Sequence, residues 1–274
     1  MLGLALAMLI GAAPPAPAPS YLALGDSYTI GESVEPSERW PVRLATRLRK
    51  DGIAIGDPTI IARTGWTTDE LDAALDRAHK GTSEPQDGNG GKLQPPYALV
   101  TLLIGVNNQY RSRPVEEYRT QLRALIQRAI IYAGGNPGRV ILVSIPDWSA
   151  TPFAAGSSRD LAQIAREIDA YNAVKREEAA RSGTTFVDIT PGSRKAAKRP
   201  DLVAGDGLHP SAIEYERWAK AVYEPARVGD VKHSLADISA ATELLGYRPI
   251  AQLSDGIEET LAWYERAFAE SERG

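Results

Sequence analysis

Tyr21-Leu22-Ala23-Leu24-Gly25-Asp26-Ser27 is the stretch that decides the fold. Four apolar residues run straight into Gly-Asp-Ser, so a short buried strand ends in a turn that carries a hydroxyl. Runs of the same form recur at 59–62, 98–103, 140–144 and 185–189, each bounded by Gly, Pro, Asn or Asp. Helical patterns lie between them at 40–50, 68–79, 114–132 and 161–181, with Thr67 and Glu70 spaced as a capping box. Strands that are apolar throughout and alternate with helices predict an α/β fold. Its sheet is expected to have five parallel strands with helices on both faces, in three α/β/α layers. Ligands of such sheets bind beyond the carboxyl ends of the strands. Residues 80–96, rich in Gly, Pro and Asn, read as a surface insertion, and no strand leads into a G-x-G-x-x-G turn.

Three polar motifs fall where that rule points. Gly25-Asp26-Ser27 follows the first strand, Thr64-Gly65 the second, and Gly105-Val106-Asn107-Asn108 the third. A fourth, Asp206-Gly207-Leu208-His209-Pro210, follows the last strand. A nucleophilic serine needs a base within hydrogen-bond reach, and the base needs a partner that fixes its tautomer. Of the three histidines, His79 closes a helical pattern and His233 lies in a dissimilar tail. His209 has a carboxylate three residues earlier, and Pro210 suits the first position of a helix. Asp26 reads as a turn residue bonded to nearby backbone rather than as the orienting acid.

Together these blocks resemble the SGNH hydrolases, also called the GDSL esterase and lipase family, over about residues 20–222. The resemblance implies a flavodoxin-like sheet and a serine esterase that cleaves small-molecule carboxylic esters through an acyl-enzyme, without a cofactor. It implies Ser27 as nucleophile, His209 as base and then acid, and Asp206 as the orienting carboxylate. It further implies an oxyanion hole made by the backbone N–H groups of Ser27 and Gly65 and the side-chain amide of Asn107. Asn108 stands where the family has an aspartate after the third block, and Tyr28 stands where it has leucine. An α/β-hydrolase elbow is excluded, because Thr29 occupies the place of its second glycine. A lone Asp-x-x-His pair also falls short of a metal ligand set.

Composition narrows the partners. At 274 residues, 43% hydrophobic and a net charge of -4, the chain can bury a large core but has no basic footprint for nucleic acid or an anionic membrane. The absence of cysteine excludes disulfides, zinc-thiolate sites and a Cys nucleophile. Residues 1–19 combine a short apolar run with a Pro/Ala-rich stretch, like a secretory leader, which predicts export to the periplasm or medium. The run is too short for a stable membrane anchor. No Lys or Arg precedes it, which leaves a cytoplasmic protein with a leader-like start as the alternative.

The expected organisation is therefore a leader at 1–19, a hydrolase domain at 20–224 and a helical tail at 225–274. The tail, with helices expected at 234–245 and 254–270, resembles the C-terminal segment of NAD-dependent sugar-nucleotide epimerases. No Rossmann unit accompanies it, and Tyr171 and Lys175, although spaced like that family's catalytic pair, lie in a polar amphipathic helix. A catalytically silent binding module and an epimerase relic are the competing functions. Tyr28, Trp66, Tyr110 and Trp148 are placed either to line an acyl or sugar site or to pack, and the sequence leaves both open.

Overall fold

A computed structural model of the chain describes residues 19–82 and 93–228. The leader up to residue 18, the middle of the 80–96 insertion and the tail from residue 229, with its two expected helices, lie outside the described residues. Five strands form the sheet: β1 Tyr21–Asp26, β2 Pro58–Arg63, β3 Leu99–Leu103, β4 Val140–Val143 and β5 Thr185–Val187. Their order is β2-β1-β3-β4-β5, and every neighbouring pair is parallel. Both faces are covered, which is why β1, β3 and β4 are buried at every residue and read as unbroken apolar runs.

Nine α-helices are present among the described residues. Five are long: α2 Trp40–Lys50, α3 Thr68–Lys80, α5 Val115–Tyr132, α7 Leu161–Ser182 and α9 Ala212–Val228. With them stand the short α1 Ser27–Ile30, α4 Val106–Tyr110, α6 Pro152–Ala155 and α8 Thr190–Ser193. The α2 helix packs on α9, whereas α5 packs on both α3 and α7, giving two helical layers with the sheet between them. The capping box of α3 forms as expected: Thr67 accepts from the N3 backbone and Glu70 accepts from the Thr67 N–H.

Chain direction places the site. From β1 the chain moves outward to β2 and then returns past β1 to β3, so the strand order reverses between β1 and β3. The carboxyl ends at such a switch point diverge and leave a crevice. Ser27 leaves β1 and Gly105 follows β3 on either side of it.

One local expectation is corrected. Pro210 does not start a helix; it forms an antiparallel bridge with Val203, and α9 begins at Ala212. The bridge is closed by Ala204 N–H to the His209 carbonyl (2.7 Å) and Ser211 N–H to the Leu202 carbonyl (2.9 Å), so a proline with no N–H to donate costs nothing there. Residues 204–209 thereby become a tight loop with fixed ends. Of the 80–96 insertion, the described residues are exposed except Leu93, which is buried and whose N–H donates to the Ala78 carbonyl of α3.

Candidate active site

The turn out of β1 permits nothing larger than glycine at position 25. A Cβ there would lie 2.1 Å from Thr29 Oγ1 and 2.3 Å from the Leu103 carbonyl oxygen. Asp26 then caps α1, its Oδ1 accepting the Tyr28 N–H at 3.1 Å, and Ser27 becomes the first residue of that helix. The short helix ends at Gly31 in the left-handed region.

His209 reaches this turn from the 204–209 loop. Its Nε2 lies 2.9 Å from Ser27 Oγ and its Nδ1 lies 2.6 Å from Asp206 Oδ2. An ionised carboxylate can only accept, so Nδ1 carries the proton and Nε2 presents its lone pair to the Ser27 hydroxyl. Asp206 Oδ1 accepts the N–H groups of Leu208 and His209, both at 2.9 Å, and Oδ2 also accepts the Ser33 hydroxyl at 2.7 Å. Partial burial opposes ionisation of Asp206, but the hydrogen bonds from the Leu208 N–H, the His209 ring, Ser33 and the His209 N–H outweigh it. They hold the carboxyl well below the usual carboxylate range. The Tyr28 ring packs 5.1 Å from the imidazole, centroid to centroid, so both sides of the His209 ring are constrained by structure.

Gly65 and Asn107 approach from the neighbouring strand ends. Gly65 has φ +85°, a conformation strained for any residue with a Cβ. Its carbonyl accepts Arg111 Nη2 at 2.6 Å, which fixes the peptide plane. Asn107 Nδ2 donates one N–H to the Trp66 carbonyl at 3.0 Å, and its second N–H has the cleft beside it. Asn108 does not face the chemistry. Buried, it takes the Thr68 N–H on Oδ1 (3.1 Å) and donates Nδ2 to Thr68 Oγ1 (2.7 Å), tying α4 to the start of α3.

Ser27, Gly65, Asn107 and His209 line one cleft of about 200 Å³, completed by Tyr28, Thr64, Val106, Tyr110, Trp148, Phe153 and Leu208. Of the four aromatic residues singled out from the sequence, three line it, whereas Trp66 is buried in the core and its carbonyl accepts from Asn107. Phe153 was not foreseen, since nothing in its local sequence ties it to a strand exit. Ser33, held at φ +64°, was missed for the same reason: it reaches Asp206 across 173 residues of chain. The contacts of Arg111 and Lys175 with the Gly65, Ile104 and Val143 carbonyls also escaped, because any residue supplies a backbone carbonyl.

Lys175 is fully buried on α7. Its Nζ donates to the carbonyls of Ile104 (3.0 Å) and Val143 (2.7 Å), at the ends of β3 and β4. Asp26 is its electrostatic partner. Burial pushes the Asp26 carboxyl up to about 7 against the Tyr28 N–H and the Lys175 charge, and burial pushes the Lys175 ammonium down to about 7 against the Asp26 charge. Asp26 is thus the turn residue expected from the sequence, but one sealed in the core with Oδ2 lacking any hydrogen-bond partner. Among the described residues no three His, Asp or Glu side chains converge as a metal ligand set, and no helix is long and apolar enough to cross a membrane.

A serine, an imidazole and a carboxylate in sequence, facing N–H donors across a cleft, can carry out acyl transfer. Residues 23–217 match the model of the GDSL-like Lipase/Acylhydrolase family. The chain belongs to this family. It is a serine hydrolase that cleaves carboxylic esters. The fold of this esterase is similar to that of TesA (19% identity over 77% of this chain and 99% of that one, TM-score 0.55). It is also similar to the acetylxylan esterase Axe2 of Geobacillus stearothermophilus (19% identity, 77% and 94% covered, TM-score 0.56). A third similar structure is the psychrotrophic esterase EstA of Pseudoalteromonas sp. inhibited by monoethylphosphonate (17%, 76% and 96%, TM-score 0.54). The family match ends before the tail, so the likeness of 229–270 to epimerases gains no support from it.

Proposed function

We propose that Ser27, His209 and Asp206 carry the ester hydrolysis, with Ser27, Gly65 and Asn107 as the oxyanion hole. The observation that carries this reading is the continuous chain Ser27 Oγ, His209 Nε2, His209 Nδ1, Asp206 Oδ2, with links of 2.9 and 2.6 Å. His209 Nε2 takes the hydroxyl proton as Ser27 Oγ attacks the carbonyl carbon. The C=O electron pair moves onto oxygen, which faces the Ser27 and Gly65 N–H groups and the unused N–H of Asn107. Each such donor is worth about 3 to 4 kcal/mol of transition-state stabilisation. Collapse expels the alcohol, which receives the proton from His209. Water then repeats the sequence on the acyl-Ser27 ester and releases the acid.

The test is covalent capture. A phosphonate monoester or organophosphate should add one phosphonyl or phosphoryl mass to the intact protein, with the label on the peptide containing Ser27. Unlabelled Ser27, or full turnover by Ser27→Ala, sinks the reading.

Two broader parts belong with it. The catalytic unit is 20–224, and 225–274 is an appendage that carries none of the chemistry; proteolytic removal of the chain beyond 228 that abolished turnover would contradict this. The leader-like segment 1–19 directs export, and a mature protein from the native host that still began at Met1 inside the cell would exclude it.

A further inference from the structure

The wall of the cleft identifies the part of the substrate that the catalytic groups do not touch. Tyr110, at the end of α4, and Phe153, in α6, are 49% and 42% exposed, although their rings are packed against each other and against buried Trp148. The centroid separations are 5.3 Å for Tyr110 to Trp148, 6.1 Å for Trp148 to Phe153 and 6.4 Å for Tyr110 to Phe153. With Val106 and Leu208 they continue the same cavity that opens on Ser27 and Asn107. Contiguous apolar surface left in water beside a reacting centre marks a place where something apolar is covered.

Most polar side-chain atoms around this wall are already engaged, the exposed Tyr110 hydroxyl and the second Asn107 N–H being the exceptions. The Trp148 indole N–H donates to Gln109 Oε1 at 2.8 Å, and the Gln109 amide donates to Glu167 at 2.7 Å. Glu167 also takes Arg159 Nη2 at 2.6 Å, and Arg159 Nη1 donates to the Tyr110 carbonyl at 3.2 Å. The Thr64 hydroxyl is bonded to Glu32. A site that reads a sugar needs unengaged donors and acceptors at its hydroxyls, because each hydroxyl buried without a partner weakens binding. Most of those groups are taken up here by the protein itself. What remains along the wall, apart from the one Tyr110 hydroxyl, is ring faces and methyl groups.

We infer that the aromatic wall of Tyr110, Trp148 and Phe153 is an acyl-chain site, and that esters of unbranched fatty acids longer than acetate are the preferred substrates. This rests on the catalytic reading above. Tyr110 and Phe153 are then specificity-determining residues, and Trp148 is the platform on which they sit.

The experiment compares p-nitrophenyl esters from acetate to dodecanoate with the full-length protein. Burial of one methylene is worth about fourfold, and a half-open wall gives roughly two- to fourfold, so kcat/KM should climb by that factor per carbon beyond acetate until the wall is covered. Phe153→Ala and Tyr110→Ala, at half-exposed positions where folding is not at stake, should each lower the hexanoate-to-acetate ratio by about fivefold to tenfold. A companion series of alkyl acetates should show no comparable climb.

A flat or falling acyl series with acetate still hydrolysed overturns this inference alone. So does a climb only in the alcohol series, an unchanged ratio in both variants, or better turnover of acetylated xylo-oligosaccharide than of hexanoate. Loss of all ester turnover, or its survival in Ser27→Ala, would instead count against the catalytic reading.

Discussion

Replacing Lys175 by methionine tests the least expected element of this structure. Methionine keeps the unbranched stem and fits the same channel, but it carries no donor and no charge. The carbonyls of Ile104 and Val143, buried at the ends of β3 and β4, lose the ammonium that now lies 3.0 and 2.7 Å away. A hydrogen bond from a charged donor contributes about 1.5 to 3 kcal/mol, so the two together set a gross loss of about 3 to 6 kcal/mol. Relief from burying an ammonium offsets part of that loss. Asp26 adds little at neutral pH: with its carboxyl already near 7, it can take up a proton at small cost.

The net expectation is a loss of about 3 kcal/mol at pH 7, which for a domain of this size lowers the Tm by about 6 to 12 °C. Urea titration followed by tryptophan fluorescence measures it directly. The sign with pH is also determined. In the native protein the folded-state Lys175 lies near 7, below its unfolded value, so the unfolded chain binds more protons above pH 7 and stability rises with pH in that window. In the variant that gain is absent. Asp26, without its opposing charge, titrates higher than 7, so the folded state holds a proton that the unfolded chain has released, and stability falls as pH rises. Both effects widen the deficit from about pH 7 to 9. A variant within about 0.5 kcal/mol of the native protein, or a deficit that narrows with rising pH, would refute the account.

Three further outcomes concern turnover. Asp206→Asn removes the acceptor that selects the Nδ1–H tautomer and should lower kcat by on the order of 10³ to 10⁴ with little change in KM, read by initial rates on a p-nitrophenyl ester. Asn107→Ala should cost about 10² to 10³ in kcat, again with KM nearly constant, because the lost N–H acts on charge that develops only after attack; a change confined to KM would remove Asn107 from the oxyanion hole. Ser33→Ala deletes one of the bonds that hold Asp206 low. Because a depressed carboxyl stabilises the fold above its unfolded pKa and loses that effect as pH falls through the folded value, the variant should unfold at a higher pH in an acid titration, and an unchanged acid midpoint would mean that Ser33 is a bystander.

What could be read in advance follows from where each signal resides. The β1, β3 and β4 strands are buried on both faces, so their constraint is written in consecutive side chains and the runs at 21–24, 98–103 and 140–144 are visible directly. Ser27, Gly65, Asn107, Asp206 and His209 could be placed together because each stands at a strand exit or in the loop after the last strand, and the fold rule brings such exits to one edge of the sheet. The Pro210 expectation failed because a missing N–H is tolerated as well at a bridge as at a helix start. Only the partner Val203, seven residues away, decides between them.

Lys175 was illegible for a deeper reason. On a helix that is polar along much of its length, a lysine reads as solvent-facing, and the two groups that hold it are strand-end carbonyls that any residue would supply. The same four-residue spacing to Tyr171 that suggested an unrelated catalytic pair has a structural origin. Residues one turn apart share a face, and this face is turned inward: Tyr171 stacks on Tyr118 at 4.6 Å, and Tyr118 and Lys175 both donate to the Ile104 carbonyl. That carbonyl immediately precedes Gly105 and Asn107. The pattern that looked like coincidence is therefore a support behind the oxyanion segment, and the Lys175→Met variant should disturb kcat as well as Tm if the support reaches Asn107.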